Sequence, residues 1–143
     1  MIGLIGAACP YDEDELLDNA GATRWRWRIL PQTRQRLEQM AAARGESMNK
    51  TLVELIVADV MGLSSFADTG LMRWCQKSLF RGASVQIGLY CGPALMETLH
   101  LRRHGLGVSM SVYLDGLITR AAEEPEEVFA NLAEILGEAY TPL

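Results

Sequence analysis

Arginine alternates with apolar residues in the stretch from residue 24 to residue 29. Successive side chains of a β-strand point to opposite faces, so the pattern predicts a strand with one cationic and one apolar face. The cationic face would carry Arg24, Arg26 and Arg28, and the apolar face Trp25, Trp27 and Ile29. The planar guanidinium fork suits phosphates and guanine edges, which favours a strand that lies in a DNA groove. The alternative is an amphipathic edge strand whose arginines keep it soluble. In either case this register predicts that both tryptophans are largely buried.

Two helices separated by a short turn are predicted after the strand. Pro31 suits the first position of a helix, because its missing N–H is not needed there. The apolar residues that follow at helical spacing are Leu37, Met40 and Ala41. Gly45 can close this helix in the left-handed conformation, and Ser47 can cap the next helix, which should run to about Met61 or Gly62. That second helix would carry Leu52, Leu55, Ile56, Asp59 and Val60, of which the apolar members would form its buried face.

This order of strand, helix, Gly-x-Ser turn and helix resembles the ribbon-helix-helix DNA-binding proteins of the MetJ/Arc type. In that family two strands pair antiparallel and enter the major groove, where three alternating side chains per strand read bases. The resemblance implies that Arg24, Arg26 and Arg28 contact bases in the groove. It also implies a phosphate anchor at the N-terminus of the second helix, formed by the backbone around Ser47, Met48 and Asn49.

The same pattern returns in the second half of the chain. Residues 85 to 91 alternate with period two, and Gly92-Pro93 then opens a helix bearing Leu95, Met96, Leu99 and Leu106. Proline and turn glycine are 14 residues apart in both copies, and a serine follows each glycine two residues later. A last helix is predicted from Ser111 to Ala122. The positions that correspond to the family's DNA contacts are Gln86, Gly88 and Tyr90 on the strand and Ser109, Met110 and Ser111 at the helix N-terminus.

The duplication predicts the fold class and the organisation of the chain. We expect a mostly α fold with a short two-stranded antiparallel β-ribbon, in which tandem ribbon-helix-helix repeats pair as an intramolecular pseudo-dimer. The predicted segments are an acidic leader (1–22), a first repeat (23–62), a connector with a short helix (63–83), a second repeat (84–122) and an acidic C-terminal helix (123–143). This organisation resembles the tandem ribbon-helix-helix accessory proteins of conjugative DNA transfer, which act in the relaxosome.

Charge is distributed unevenly along the chain. The net charge is −5, yet residues 24 to 122 carry all 13 Lys and Arg against 7 acids, and both ends are purely acidic. A local basic field can therefore bind a polyanion despite the overall sign. The acidic run at residues 12 to 15 either shields the arginine strand when DNA is absent or is a solvated leader. The C-terminal helix either closes the core or binds a partner protein.

Other chemistry is poorly represented in the sequence. His100 and His104 are spaced to share a helix face, which is half a metal site or a basic surface contact. The three cysteines, Cys9, Cys75 and Cys91, form no CxxC pair and indicate neither a disulfide framework nor a zinc site. No catalytic motif, membrane span or secretory leader is recognisable. We therefore expect a cytoplasmic protein that is not an enzyme and that uses no metal and no cofactor.

These features predict a double-stranded DNA-binding protein that inserts its ribbon into the major groove. It would act as a transcriptional regulator or as an accessory factor in DNA transfer or processing. Because the two predicted strands differ, an internal pair would read an asymmetric site. The alternative is a protein-interaction module, in which the ribbon-helix-helix scaffold uses its acidic ends to bind a partner protein.

Overall fold

The structure is a computed structural model and describes residues 11–61 and 83–123 of the chain. The elements are α1 (Glu13–Leu17), β1 (Thr23–Ile29), α2 (Pro31–Arg44), α3 (Met48–Val60), β2 (Val85–Cys91), α4 (Pro93–Leu106) and α5 (Met110–Glu123). The expectation of a mostly helical chain with one two-stranded antiparallel sheet is confirmed. The predicted connector helix and C-terminal helix lie outside the described residues, as do Cys9 and Cys75.

Helices α2 and α4 begin and end with the same local signals. Each has proline at its start and spans 14 residues. Gly45 (φ 66°) and Gly107 (φ 71°) close them in the left-handed region, which a residue without a Cβ adopts at little cost. The hydroxyl of Ser47 accepts a hydrogen bond from the Lys50 N–H, and the Ser109 hydroxyl accepts one from the Val112 N–H. The repeat seen in the sequence is therefore also a repeat of local geometry.

The two strands pair in a register that is symmetric about their centres. Thr23 faces Cys91 at one end, and Ile29 faces Val85 at the other. The second strand–helix–helix segment follows the first at an offset of 62 residues, as the two prolines show. Arg26 and Gly88 are equivalent at this offset, and they also face each other across the ribbon. The register thus aligns the two segments about their equivalent central residues.

The core lies between the ribbon and the four long helices, and the two segments contribute to it jointly. Helix α5 packs against β1 and α2, while α3 packs against β2 and α4, so the second helix of each segment contacts the strand and first helix of the other. The largest fully buried side chains from these elements are Ile29, Leu37, Leu52, Leu55, Ile56, Leu89, Leu95, Leu99, Tyr113 and Leu114. Each such side chain stabilises the fold by about 1.5–3 kcal/mol relative to its exposed form.

The tryptophans of β1 do not enter this core as expected. Trp25 is 42% exposed and Trp27 is half-buried, so the prediction that both are largely buried is wrong for Trp25. Their rings stack on each other, with centroids 6.2 Å apart and planes 9° from parallel. Ile87 and Leu89, which face them from β2, are buried in the core. Trp25 therefore packs on its neighbour two residues away rather than into the interior.

A short helix that the sequence reading did not predict lies within the acidic leader. Asp12 caps α1 by accepting a hydrogen bond from the Glu15 N–H, and the Glu15 carboxylate accepts one from the Asp12 N–H in return. Leu16 is 1% exposed and belongs to the core, where α1 packs against α3 and α4. The Tyr11 hydroxyl donates to Glu97 of α4 at 2.6 Å. The leader is thus partly folded onto the second segment.

Candidate nucleic-acid interface

One face of the β-ribbon is open to solvent along its full length. The six residues on it are Arg24, Arg26, Arg28, Gln86, Gly88 and Tyr90, and all are exposed. On β2 the alternation is clean, because Ile87, Leu89 and Cys91 face the core. The residues predicted to contact DNA bases therefore share one accessible face. Their contacts with DNA stay a prediction.

Opposite residues on this face form non-hydrogen-bonded pairs, so their side chains lie close together. The N–H groups of Arg28 and Tyr90 donate to side chains outside the sheet instead of to the opposite strand. Those residues therefore belong to the non-hydrogen-bonded pairs of the ladder, in which opposite side chains lie closest. The three pairs of this type are Arg24 with Tyr90, Arg26 with Gly88, and Arg28 with Gln86.

No ion pair among the described residues neutralises the positive charge of this face. Ion pairs within residues 11–61 and 83–123 involve Arg34, Arg44, Lys50, Arg102 and Arg120, and none involves the three ribbon arginines. Among the described residues no ion pair connects the acidic helix α1 to β1, and shielding of the ribbon by the acidic run stays a prediction. Three like charges at every second strand position repel one another, and a polyanion lying on the face would relieve that repulsion.

Two ribbon arginines have defined positions. The Arg28 guanidinium donates to the Ser84 hydroxyl from Nε (2.7 Å) and to the Ser84 carbonyl from Nη2 (2.6 Å). Three of its five N–H donors are left for another partner. Arg24 extends toward β2, where its Nη1 lies 3.5 Å from the place a Cβ of Gly88 would occupy. The missing side chain of Gly88 thus leaves room at the centre of the face, and Ser84 was not among the predicted site residues.

Helix N-termini hold the outer edges of both strands. The Asn49 amide accepts from the Tyr90 N–H at 2.7 Å and donates to the Tyr90 carbonyl at 3.0 Å. The Ser111 hydroxyl accepts from the Arg28 N–H at 3.3 Å. Asn49 and Ser111 are equivalent at the 62-residue offset, and each binds the strand of the other segment. Their side chains thus hold the ribbon, and the phosphate contacts predicted for these helix starts stay a prediction.

The remaining predicted anchor residues lie at the same helix starts. Ser47 and Ser109 are exposed, Met48 is half-buried and Met110 is 6% exposed. The first N–H groups of a helix have no partner within it, and they carry the positive end of the helix dipole. Those backbone groups, rather than the side chains, are what the first turns of α3 and α5 can offer to a phosphate.

A buried aspartate fixes the start of α2 beside the end of β1. Asp115 of α5 accepts from the Leu30 N–H at 2.8 Å and from the Thr33 hydroxyl at 3.1 Å. It is fully buried, so the hydrogen bonds replace the water that the carboxylate loses on folding. The sequence signal for it is an acid inside the apolar stripe of the last helix. Sequence reasoning did not identify this residue.

A second buried aspartate links the two segments. Asp59 of α3 is bound by the Arg102 guanidinium through two hydrogen bonds, at 2.9 and 3.1 Å, and by the Tyr113 hydroxyl. Burial is the larger cause, and the nearby Asp59 carboxylate the second, of a pKa of Tyr113 well above its usual value. This hydroxyl therefore stays protonated and donates. The aspartate was named among the residues of its helix, but neither its burial nor its partners in α4 and α5 were predicted.

A third polar cluster lies between α2 and α3. Arg44 donates to Glu46 at 2.9 Å and lies 3.6 Å from Glu54, which is 2% exposed. Burial, with the adjacent Glu46, raises the pKa of Glu54 to about 8. Burial also opposes ionisation of Glu46, but hydrogen bonds with Glu54, Arg44 and Thr51 outweigh it and lower the pKa of that carboxyl. Glu54 therefore holds a proton at neutral pH and Glu46 a negative charge.

Metal-binding and nucleophilic groups are sparse in the described part of the chain. No group of three or more His, Cys, Asp or Glu side chains there is arranged to hold a metal ion, and His100 and His104 are exposed on α4. Cys91 is 2% exposed, and burial raises the pKa of its thiol to about 11, which disfavours the reactive thiolate.

Among the described helices, none has the length and apolar content needed to span a membrane. Comparisons of the chain with protein-family models, with curated proteins and with solved structures find no match.

Proposed function

We propose that this chain is a tandem ribbon-helix-helix protein that binds double-stranded DNA by placing its β-ribbon in the major groove. Its two segments would form an internal pseudo-dimer, so that one molecule supplies one complete ribbon. Acting in the cytoplasm, it would regulate transcription or assist DNA transfer or processing.

The observation that carries this proposal is the exposed arginine face of the ribbon. Arg24, Arg26 and Arg28 point to one side of a two-stranded sheet, and no ion pair in the described residues neutralises them. A β-ribbon fits the width of the major groove, and arginine is the commonest side chain that donates in pairs to guanine. Solubility alone would not require all three arginines on one face. It would also not require a glycine on that face or helix side chains that hold both edges of the ribbon.

Support for the pseudo-dimer comes from the contacts between the segments. Each second helix packs against the strand of the other segment, and Asn49 and Ser111 bind the opposite strands at equivalent positions. A single ribbon-helix-helix segment has only one strand, so it needs a second segment to complete a ribbon. The symmetric register about Arg26 and Gly88 is the one that a two-fold pairing of equivalent strands requires.

The test compares two triple variants with the same loss of charge. In the first, Arg24, Arg26 and Arg28 are changed to alanine; in the matched control, Arg34, Arg36 and Arg120 are changed instead. Binding of a labelled duplex is followed by fluorescence anisotropy between about 50 and 200 mM salt, and circular dichroism checks that both variants fold. We expect the ribbon variant to lose binding, and each lost phosphate contact to lower the log–log salt slope by about 0.9.

The control variant should retain most of the affinity, because its arginines lie on helices α2 and α5 and not on the ribbon. Equal losses in the two variants would mean that net charge, and not the ribbon, governs binding. If the folded ribbon variant binds with the affinity and salt slope of the parent, the ribbon does not contact DNA.

A further inference from the structure

We propose, on the basis of the DNA-binding function above, that the ribbon recognises a non-palindromic duplex site. The bases that face β1 would include guanines. The bases related to them by the local two-fold axis of the ribbon would include an adenine facing Gln86 and would have no guanine requirement. The site is thus asymmetric in a defined way, although the protein backbone that reads it is nearly symmetric.

The asymmetry follows from what stands at equivalent positions of the two strands. A two-fold axis through the centre of the ribbon relates Arg24 to Gln86, because these residues are 62 positions apart. The same axis relates Arg26 to Gly88 and Arg28 to Tyr90. In none of the three pairs do the two side chains offer the same donors and acceptors. Two DNA half-sites of identical sequence would therefore meet different chemistry.

Each side chain has a distinct base preference. Arginine donates two hydrogen bonds to O6 and N7 of guanine, whereas glutamine pairs with N6 and N7 of adenine. Glycine has no side chain with which to select a base, and a tyrosine hydroxyl has one donor where the arginine fork has several. Guanine is therefore favoured only at base positions that face β1. Adenine is favoured at the base position that faces Gln86, the residue of β2 equivalent to Arg24.

The positions of the arginines make this preference effective. Arg28 is held by Ser84 at 2.7 and 2.6 Å, so part of its side-chain entropy is lost before DNA arrives. Arg24 reaches over the space left by Gly88, and Arg26 is exposed at the centre of the ribbon. A side chain in place of Gly88 would occupy the space beside the Arg24 guanidinium, so the glycine gives the opposite strand room to reach the bases.

The experiment is selection of bound duplexes by the full-length protein from a random double-stranded library, followed by affinity measurements on the selected site. We expect guanines in one half and no matching guanines in the other. Arg26→Ala should relax one guanine position and leave its two-fold-related position unchanged. Gln86→Arg should convert the preferred adenine to guanine at one position. Each change in base preference should be about 5- to 150-fold, the range expected for a good bidentate contact.

The outcomes separate this inference from the proposed function. Palindromic selected sites, or enrichment of duplexes with no sequence preference, would overturn the asymmetric site while leaving DNA binding intact. Loss of the adenine preference in Gln86→Ala, with the guanines retained, would support the assignment of that position. Failure of the folded parent to enrich or shift any duplex would remove the proposed function itself, and the asymmetric site with it.

Discussion

At Gly92 the backbone before β1 approaches the second segment closely. A Cβ at this position would lie 2.1 Å from the carbonyl oxygen of Asp18, a distance that side-chain atoms do not tolerate. Gly92→Ala should therefore push the end of α1 away from α4. We expect a loss of about 1–3 kcal/mol in the free energy of unfolding, measured by urea denaturation, as in other overpacked sites.

A matched glycine provides the control. Gly105 lies in α4, and, apart from its chain neighbours and the local helix backbone, no atom of the described residues lies within 4 Å of the Cβ that alanine would add. Gly105→Ala should raise stability by about 0.5–1 kcal/mol, because alanine has the higher helix propensity. Equal effects of the two substitutions would show that the contact with Asp18 is not maintained in solution.

Glu54 gives the molecule a pH-dependent stability. Its pKa is about 8 in the folded chain and 4.5 in the reference state, so between these values the folded state holds a proton that the unfolded state has released. The stabilising contribution is complete below pH 4.5 and is lost as the pH rises through 8. Unfolding midpoints should therefore be lower at pH 8.5 than at pH 5.

The substitution Glu54→Gln should remove most of this dependence, because the amide resembles the protonated acid. Glu38→Gln, an exposed substitution outside the Arg44–Glu46–Glu54 cluster, is the control, and Glu54→Gln should alter the pH profile more than it does. The lowered pKa of Glu46 acts in the opposite direction: its contribution is present above pH 4.5 and declines as the pH falls through its folded value. Identical profiles for the parent and Glu54→Gln would contradict the protonated state of Glu54.

At the scale of elements, Asp115 connects the last helix to the junction of β1 and α2. Asp115→Ala would leave the buried Leu30 N–H and Thr33 hydroxyl without this acceptor, at a cost of about 1–3 kcal/mol for each group. Asp115→Asn keeps one acceptor oxygen and should cost less. Glu97→Ala, which removes one exposed hydrogen bond to Tyr11, is the control and should change the unfolding free energy by under about 1 kcal/mol. If Asp115→Ala unfolds at the urea concentration of the parent, the junction is held by other contacts.

The long helices and the strands could be predicted from sequence because their signals are local. Pro31 and Pro93 mark helix starts, and Gly45 and Gly107 mark helix ends. The last helix begins at Met110 and ends at Glu123, one residue beyond the predicted start and end on each side. The apolar residues of the buried face of α3 were predicted, because helical spacing alone assigns residues to a face, whereas the burial of Asp59 was not.

The antiparallel pairing of the strands was predicted, but most side-chain contacts were not. The exposure of Trp25, whose ring stacks on that of Trp27, departs from the period-two alternation. The bonds of Asn49 and Ser111 to opposite strands are also non-local, although the residues themselves had been selected. Helix α1 is different, because Asp12 and Glu15 have the spacing of a capping box and could have indicated it.

At the scale of the whole molecule, the two segments are interlocked, which predicts a monomer. Each segment buries its second helix against the other, and the Asp59–Arg102–Tyr113 cluster satisfies buried polar groups only across the two segments. Pairing of two identical first segments would leave Asp59 without its partners. In dilute solution we expect a mass of 15.8 kDa by light scattering, independent of concentration. A stable mass of twice that value at micromolar concentration would favour exchange of segments between chains.

The two strands of the ribbon are encoded by separate stretches of one gene, so residues at equivalent positions of its exposed face can vary independently. In a dimer of identical chains, one codon specifies both residues at each pair of equivalent positions, so every point mutation enters the surface twice. Arg26 and Gly88 meet at the centre of the ribbon and are encoded separately. The exposed face therefore has six independently mutable positions where a homodimer has three. A single nucleotide change can alter one position and leave the other five as they were.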